Sequence, residues 1–210
     1  MLLSELPNSC LQITFNKNKK KMTNIAIFAS GNGSNCENII RYFKDSHDIN
    51  ISLVLCNNPE AKVLQRAQSL GVPTAYVSRK DFKNEDTVMP IMKEHKVDFI
   101  VLAGFLVLIP GYLLKAYDRA IVNIHPALLP KFGGKGMYGH HVHEAVKAAG
   151  ETESGITIHW VTEEYDRGEI IAQFKTAIGS NYSPDDIADK IHVLEMAHFP
   201  KVIEKTILNK

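Results

Sequence analysis

The 210-residue chain has little that would tie it to a membrane, a disulfide framework or a nucleic acid. Its three cysteines, Cys10, Cys36 and Cys56, are odd in number and form no Cys-x-x-Cys pair. That excludes a disulfide scaffold and fits a reducing cytoplasm. Basic and acidic residues nearly cancel, 24 against 23, so neither nucleic acid nor an anionic membrane surface is an expected partner. No stretch has the length and apolarity of a membrane span. There is one tryptophan, and no internal repeat. What the chain does have is an apolar share of 45%, enough to bury a core at a length that suits one domain.

The amino end reads differently from the rest. Leu11 to Phe15 is mildly apolar and is followed by a lysine-rich run over 16–21. A secretory signal places its charge before its apolar core, so this order does not fit one. Residues 1–21 are expected to be a flexible extension without a catalytic part, and residues 22–210 a single domain.

Hydrophobic patterning predicts strands near 24–29, 51–56, 98–103 and 120–124, with helices near 35–44, 60–70 and 84–95. Strand and helix in alternation imply right-handed crossovers and a parallel sheet. From 155 onward two apolar strands joined by a short turn read as antiparallel. Ser183-Pro184-Asp185-Asp186 is a helix start, and the helix runs through Ile191, Leu194, Phe199, Ile203 and Ile207. Pro200 is expected to kink or divide it. The fold class is therefore α/β, a Rossmann-like, mostly parallel sheet flanked by helices, with antiparallel strands and a long helix at the carboxyl-terminal end.

Three segments carry chemistry. Asn123-Ile124-His125-Pro126 ends the apolar strand begun by Ile121 and Val122. Side chains two apart on a strand share a face, so Asn123 and His125 project together. An amide can hold a developing oxyanion while an imidazole moves a proton. Near the amino end, an apolar strand breaks into Ser30-Gly31-Asn32-Gly33-Ser34-Asn35 before a helix. Such a loop aims backbone N–H groups and a positive dipole end at an anion, although a plain βα turn has the same pattern. No Gly-Lys-Ser/Thr follows, so it is not a Walker loop. The third segment is the turn holding Asp166, a common turn former that, beside His125, would favour the imidazolium.

Taken together, Gly31-Asn32-Gly33-Ser34-Asn35, Leu102-Ala103-Gly104-Phe105, Asn123-Ile124-His125-Pro126, Leu128-Leu129-Pro130-Lys131 and Asp166 with Gly168 resemble the phosphoribosylglycinamide formyltransferase family. The resemblance runs from about Met22 to the carboxyl end. It implies an enzyme that uses 10-formyltetrahydrofolate as co-substrate, without a metal, to formylate glycinamide ribonucleotide in purine biosynthesis. It further implies that His125 transfers protons, Asn123 binds the formyl oxygen, and Asp166 raises the His125 pKa and holds a water. Gly33, Ser34 and Asn35 would bind the substrate phosphate. Leu106, Val107, Leu108 and Ile109, with Asn123 and the backbone from Thr162 to Asp166, would form the folate pocket. Glu195 matches a family carboxylate near the substrate ribose.

The sequence departs from the family pattern in places. Lys83-Asn84-Glu85 stands where some members have an arginine near the folate, so either another residue, with Lys83 the candidate, serves there or that contact is absent. Val107 occupies a position that is basic in others. Phe132 to Gly139 is longer than in some relatives, and its four glycines suggest a mobile loop from which Lys135 could reach an anion. His140-His141-x-His143-Glu144 has metal-ligand residue types, but not the His-Glu-x-x-His spacing, and reads better as a helix start. His159 reads as structural. A methionyl-tRNA formyltransferase would carry a second basic domain and a formyltetrahydrofolate hydrolase an amino-terminal regulatory domain, and the chain is expected to have neither. A non-catalytic phosphate-binding module is the alternative from another class.

Overall fold

The computed structural model describes residues 21–209, so most of the expected amino-terminal extension lies outside the described residues. Lys21, the first of them, pairs through Nζ with Asp98 at 2.8 Å. In chain order the elements are β1 (Thr23–Ala29), α1 (Ser34–Phe43), β2 (Ile49–Cys56), α2 (Lys62–Ser69), β3 (Thr74–Tyr76), α3 (Glu85–Glu94) and β4 (Phe99–Leu102). Then come α4 (Gly111–Ala116), β5 (Ile121–His125), α5 (His140–Ala148), β6 (Glu153–Trp160), β7 (Ile170–Ala177) and α6 (Pro184–Leu208).

The strands form one sheet in the order β3-β2-β1-β4-β5-β6-β7. The first five are parallel, whereas β6 runs antiparallel to β5 and β7 antiparallel to β6. This is the expected class. Every second residue of β1 serves a different core, as the two-residue period of a strand requires. Ile25, Ile27 and Ala29 pack with residues of α1, α2, α5 and α6. Ala26 and Phe28 pack with Phe82, Val88, Met92 and Leu113 on the other face. There Phe28 meets Phe82 and Phe105 edge-on, ring centres 5.8 and 5.4 Å apart.

Two short elements were not expected from the sequence. The three residues of β3 and the six of α4 are too few for a periodic signal to register. The larger difference is at Pro200. It does not divide α6, which continues for 25 residues. Proline lacks the N–H that would bond the carbonyl four residues earlier. That carbonyl, Met196 O, instead accepts from Asn38 Nδ2 of α1 at 2.9 Å. A neighbouring helix thus supplies the donor that the proline removes.

The start of α6 is closed by a capping box. Ser183 Oγ accepts from the Asp186 N–H at 3.2 Å, and Asp186 Oδ2 accepts from the Ser183 N–H at 2.8 Å. Removing such a cap costs about 1 kcal/mol. Ser183→Ala is therefore expected to lower the midpoint of thermal unfolding by about 2–4 °C for a protein of this size. An unchanged midpoint would show that the cap contributes nothing.

Candidate active site

The strand order reverses at β1 and β4, and open α/β sheets leave a crevice at the carboxyl ends of such strands. Here the ends of β1, β4 and β5 border a cavity of about 810 Å³. Ser30, just past β1, fastens this rim. Its N–H donates to Gly104 O at 3.0 Å, while its hydroxyl donates to Asn57 at 2.6 Å and accepts from the Leu106 N–H at 2.9 Å. The loops after β1, β2 and β4 are thereby joined by one buried serine, which the sequence had not singled out.

Gly33, Ser34 and Asn35 line the cavity at the start of α1. Gly33 has φ of 80°, and a Cβ there would lie 2.8 Å from the Val63 backbone, so the loop is pressed against the start of α2. No side chain caps the helix. The first-turn amides of a helix lack intrahelical acceptors and are free to hold an anion. Glu37, in the same turn, is ion-paired with Arg41 and Arg66, and those hydrogen bonds hold its carboxyl below the usual range. Asn35 Nδ2 donates to Glu195 Oε2 at 2.9 Å. Glu195, a lone helix residue in the sequence, therefore belongs to this wall.

Asn123, His125 and Asp166 also line the cavity and meet one another there. His125 is 3% exposed. Its Nε2 lies 2.7 Å from Phe132 O, so that nitrogen carries a proton, and its Nδ1 lies 3.5 Å from Asp166 Oδ2. Asp166 adopts φ of 56°, a conformation that aspartate tolerates better than most residues, and the Gly134 N–H donates to its Oδ2 at 2.9 Å. The glycine-rich loop is thus held against the carboxylate.

His159 completes the group. In the antiparallel register it stands opposite Asn123, with Thr157 opposite His125. His159 Nδ1 faces Trp160 O at 2.8 Å and therefore donates to it. In the neutral ring Nε2 is then left to accept from Asn123 Nδ2, 3.1 Å away. Asp166 Oδ1 is 3.5 Å from the same nitrogen. The sequence reading made His159 structural. Its alternating strand pattern gave the inward face but not the partner strand, so the pairing with Asn123 stayed hidden.

A second, narrower cavity of about 50 Å³ adjoins the first and shares Phe105, Asn123, Tyr165 and Asp166 with it. Val107, Leu108 and Ile109 line it, together with His159, Thr162 and Glu164, whereas Leu106 faces the larger cavity. Lys83 lines neither, lying on an exposed 3-10 turn. Lys135 lines the large one. His140 and His141 are on the surface beside Glu144 and Asp185, and only His143 of that run reaches the cavity. Among the described residues no group of three or more His, Cys, Asp or Glu side chains is placed to hold a metal.

Burial pushes the His125 pKa below the ordinary histidine range, outweighing the Asp166 carboxylate and the Phe132 carbonyl, which pull it up, while His159 deepens the fall. The expected raising by Asp166 is present as one contribution, but the net direction is down. Burial pushes Asp166 up, yet the protonated rings of His159 and His125, together with the Gly134 amide, more than offset it, and its pKa falls. His143 is also lowered by burial, against the pull of Glu195, whereas His192 is raised by its Glu195 partner.

A folded pKa below the unfolded one means that the unfolded chain takes up the proton first as pH falls. His125 and His143 therefore cost stability as pH drops through about 6.5. His192 has the opposite sign, contributing stability below that pH and losing it as pH rises through its folded value. His125→Asn should lose less thermal stability than the unchanged protein between about pH 7.5 and pH 5.5. Equal loss in the two would mean that His125 is not held neutral by the fold.

Known proteins resemble this chain in sequence and in fold. The formyl transferase family matches residues 23–203. Phosphoribosylglycinamide formyltransferase of Bacillus subtilis (strain 168) is 38% identical over 191 residues, covering 89% of this chain and 95% of its own length. The chloroplastic enzyme of that name from Arabidopsis thaliana is 36% identical over 194 residues, covering 90% of this chain and 66% of its own length. The crystal structure of phosphoribosylglycinamide formyltransferase from Anaplasma phagocytophilum superposes with a TM-score of 0.82 at 34% identity, covering 90% of this chain and 89% of that one. A family match over nearly the whole sheet and its flanking helices leaves one conclusion, that this chain belongs to the formyl transferase family.

Proposed function

We propose that this chain transfers the formyl group of 10-formyltetrahydrofolate to the glycyl amine of glycinamide ribonucleotide, a step of purine biosynthesis, and that residues 22–210 act as one domain. The observation that carries the reading is that Asn123 and Asp166 stand on the shared border of two adjoining cavities. Two substrates entering from opposite sides would meet there. The larger cavity, with its helix start at Gly33-Ser34-Asn35, suits a phosphorylated acceptor. The narrower one, walled by Leu102, Val107, Ile109 and Val161, suits the flat ring of the folate. At about 50 Å³ it is tighter than a bicyclic ring, and its exposed walls, Leu108 and Tyr165, are the parts that must part to admit one.

The folate supplies the formyl group, and the chain's residues supply position and proton management. His159 holds one N–H of Asn123, which leaves the other to donate to the formyl oxygen as negative charge grows there. The Asn123 carbonyl oxygen can accept from the attacking amine. With Nε2 of His125 engaged by Phe132, Nδ1 is the nitrogen left for proton transfer. Asp166 stays ionised through the neutral range, favours the imidazolium as it forms, and orients the water that carries the amine proton to the leaving folate nitrogen. The carbon–nitrogen bond to the folate breaks as that to the glycyl amine forms, so no covalent enzyme intermediate is required. The Cys36 thiol, beside the phosphate-binding loop, is pushed up to about 12 by burial and offers no thiolate.

The reading extends to a reducing compartment, the cytoplasm. It is supported by the unpaired, buried thiols of Cys36 and Cys56. Among the described residues no helix is long and apolar enough to cross a membrane.

The test is spectrophotometric turnover of 10-formyltetrahydrofolate with and without glycinamide ribonucleotide. Turnover that requires the ribonucleotide is expected, and folate loss without any amine would replace transfer by hydrolysis. His125→Ala and Asp166→Asn should each lower kcat by about 10²–10⁴-fold with the fold intact by circular dichroism. A variant within tenfold of the parent removes that residue from the mechanism. His159→Phe should cost about 10–100-fold in kcat, because Asn123 loses the partner that aims its amide. Unchanged kcat would return His159 to a packing role.

A further inference from the structure

His143 is a buried polar group on the wall of the large cavity for which the chemistry above has no use. It is 7% exposed and lies on the inner face of α5 between Val142 and Val146, a position that an aliphatic side chain would fill without polar cost. Its Nδ1 is sealed from solvent and has no hydrogen-bond partner. A stranded nitrogen of this kind is costly to keep, so its retention asks for a return elsewhere on the ring.

The surroundings narrow what that return is. Burial keeps the imidazole neutral at neutral pH, with Glu195 opposing and His140 and His125 assisting. It is therefore not a cation for a phosphate. Buried N–H groups are stranded more rarely than acceptors, so the sealed Nδ1 is best left unprotonated and the hydrogen placed on Nε2. His143 then has one donor to offer to the cavity. Beside it on the same wall are Glu195, an acceptor, and Asn35, whose Nδ2 is spent on Glu195 and whose buried Oδ1 also lacks a partner. A neutral donor next to a carboxylate matches a hydroxyl, which accepts from one and donates to the other. A phosphate oxygen would be repelled by Glu195.

We propose that His143 is a substrate-contacting specificity residue that, with Glu195, reads a ribose hydroxyl of the ribonucleotide acceptor. This rests on the function proposed above and adds to it a residue that selects the sugar.

The experiment compares the full chain with His143→Phe and His143→Gln. Kinetic constants are measured for glycinamide ribonucleotide, for its 2-deoxyribose and 3-deoxyribose analogues, and for 10-formyltetrahydrofolate. His143→Phe should raise KM for the ribonucleotide about tenfold, the scale of one lost hydrogen bond, with KM for the folate unmoved. His143→Gln, which keeps a donor, should recover part of the loss. For one of the two deoxy acceptors the penalty of His143→Phe should vanish, since the contact is already absent. Three results would overturn the proposal: an unmoved KM, parallel rises in both KM values with a lowered unfolding midpoint, or a full penalty on both deoxy acceptors. If the parent protein formylates nothing, the function above fails, but calorimetric binding of glycinamide ribonucleotide and its deoxy analogues still reads the contact. No binding to the parent protein overturns both.

Discussion

The antiparallel pairing of β6 on β5 is the constraint on which the site depends. Reversing one strand beside a parallel sheet brings His159 across from Asn123 and Thr157 across from His125. The β6–β7 connection leaves beside Ile121, at the amino end of β5, and reaches back along the strand to bring Asp166 within 3.5 Å of His125. Thr157 then serves the segment after His125, donating to Ala127 O and accepting from the Leu129 N–H and from Gln173. The polar group around Asn123 is thus a product of strand direction as much as of residue choice.

Much of this arrangement is legible in the sequence because its parts are local. The strand-loop-helix run around Gly33 announces itself within a dozen residues, and Asn123 with His125 needs only the two-residue period of a strand. The turn around Asp166 is visible as a turn, but its role comes from family resemblance, since a lone turn aspartate looks like any other. What stayed hidden depends on contacts distant in the chain. Ser30 acts through Asn57 and Leu106, and His159 through a partner 36 residues away. The division of the helix that Pro200 allowed for does not occur for the same reason, because the donor that replaces its missing N–H comes from α1. The net fall of the His125 pKa is likewise a property of burial, which no motif displays.

Two electrostatic regimes share one cavity. Around Asn123 the rings and carboxylate are nearly closed to solvent, so charges there act at low dielectric and small displacements matter. Around Gly33 the donors are backbone amides, whose orientation is fixed by α1 and by the pressure of Val63 on Gly33. In the proposed reaction the first region would move protons and the second would only hold. Glu195 and His143 line the same cavity and, in the reading proposed above, would meet the uncharged sugar.

The bond from Asn38 to Met196 has a consequence for length. It joins α1 three residues after Asn35 to α6 one residue after Glu195, next to the bond between those two side chains. The start of α1 and the carboxylate on α6 are thereby riveted at a fixed separation before any ligand arrives. The two helices act as the jaws of a caliper, set by a proline that left a carbonyl free. A ligand whose anionic end and hydroxyls do not match that opening must strain itself, because the jaws will not.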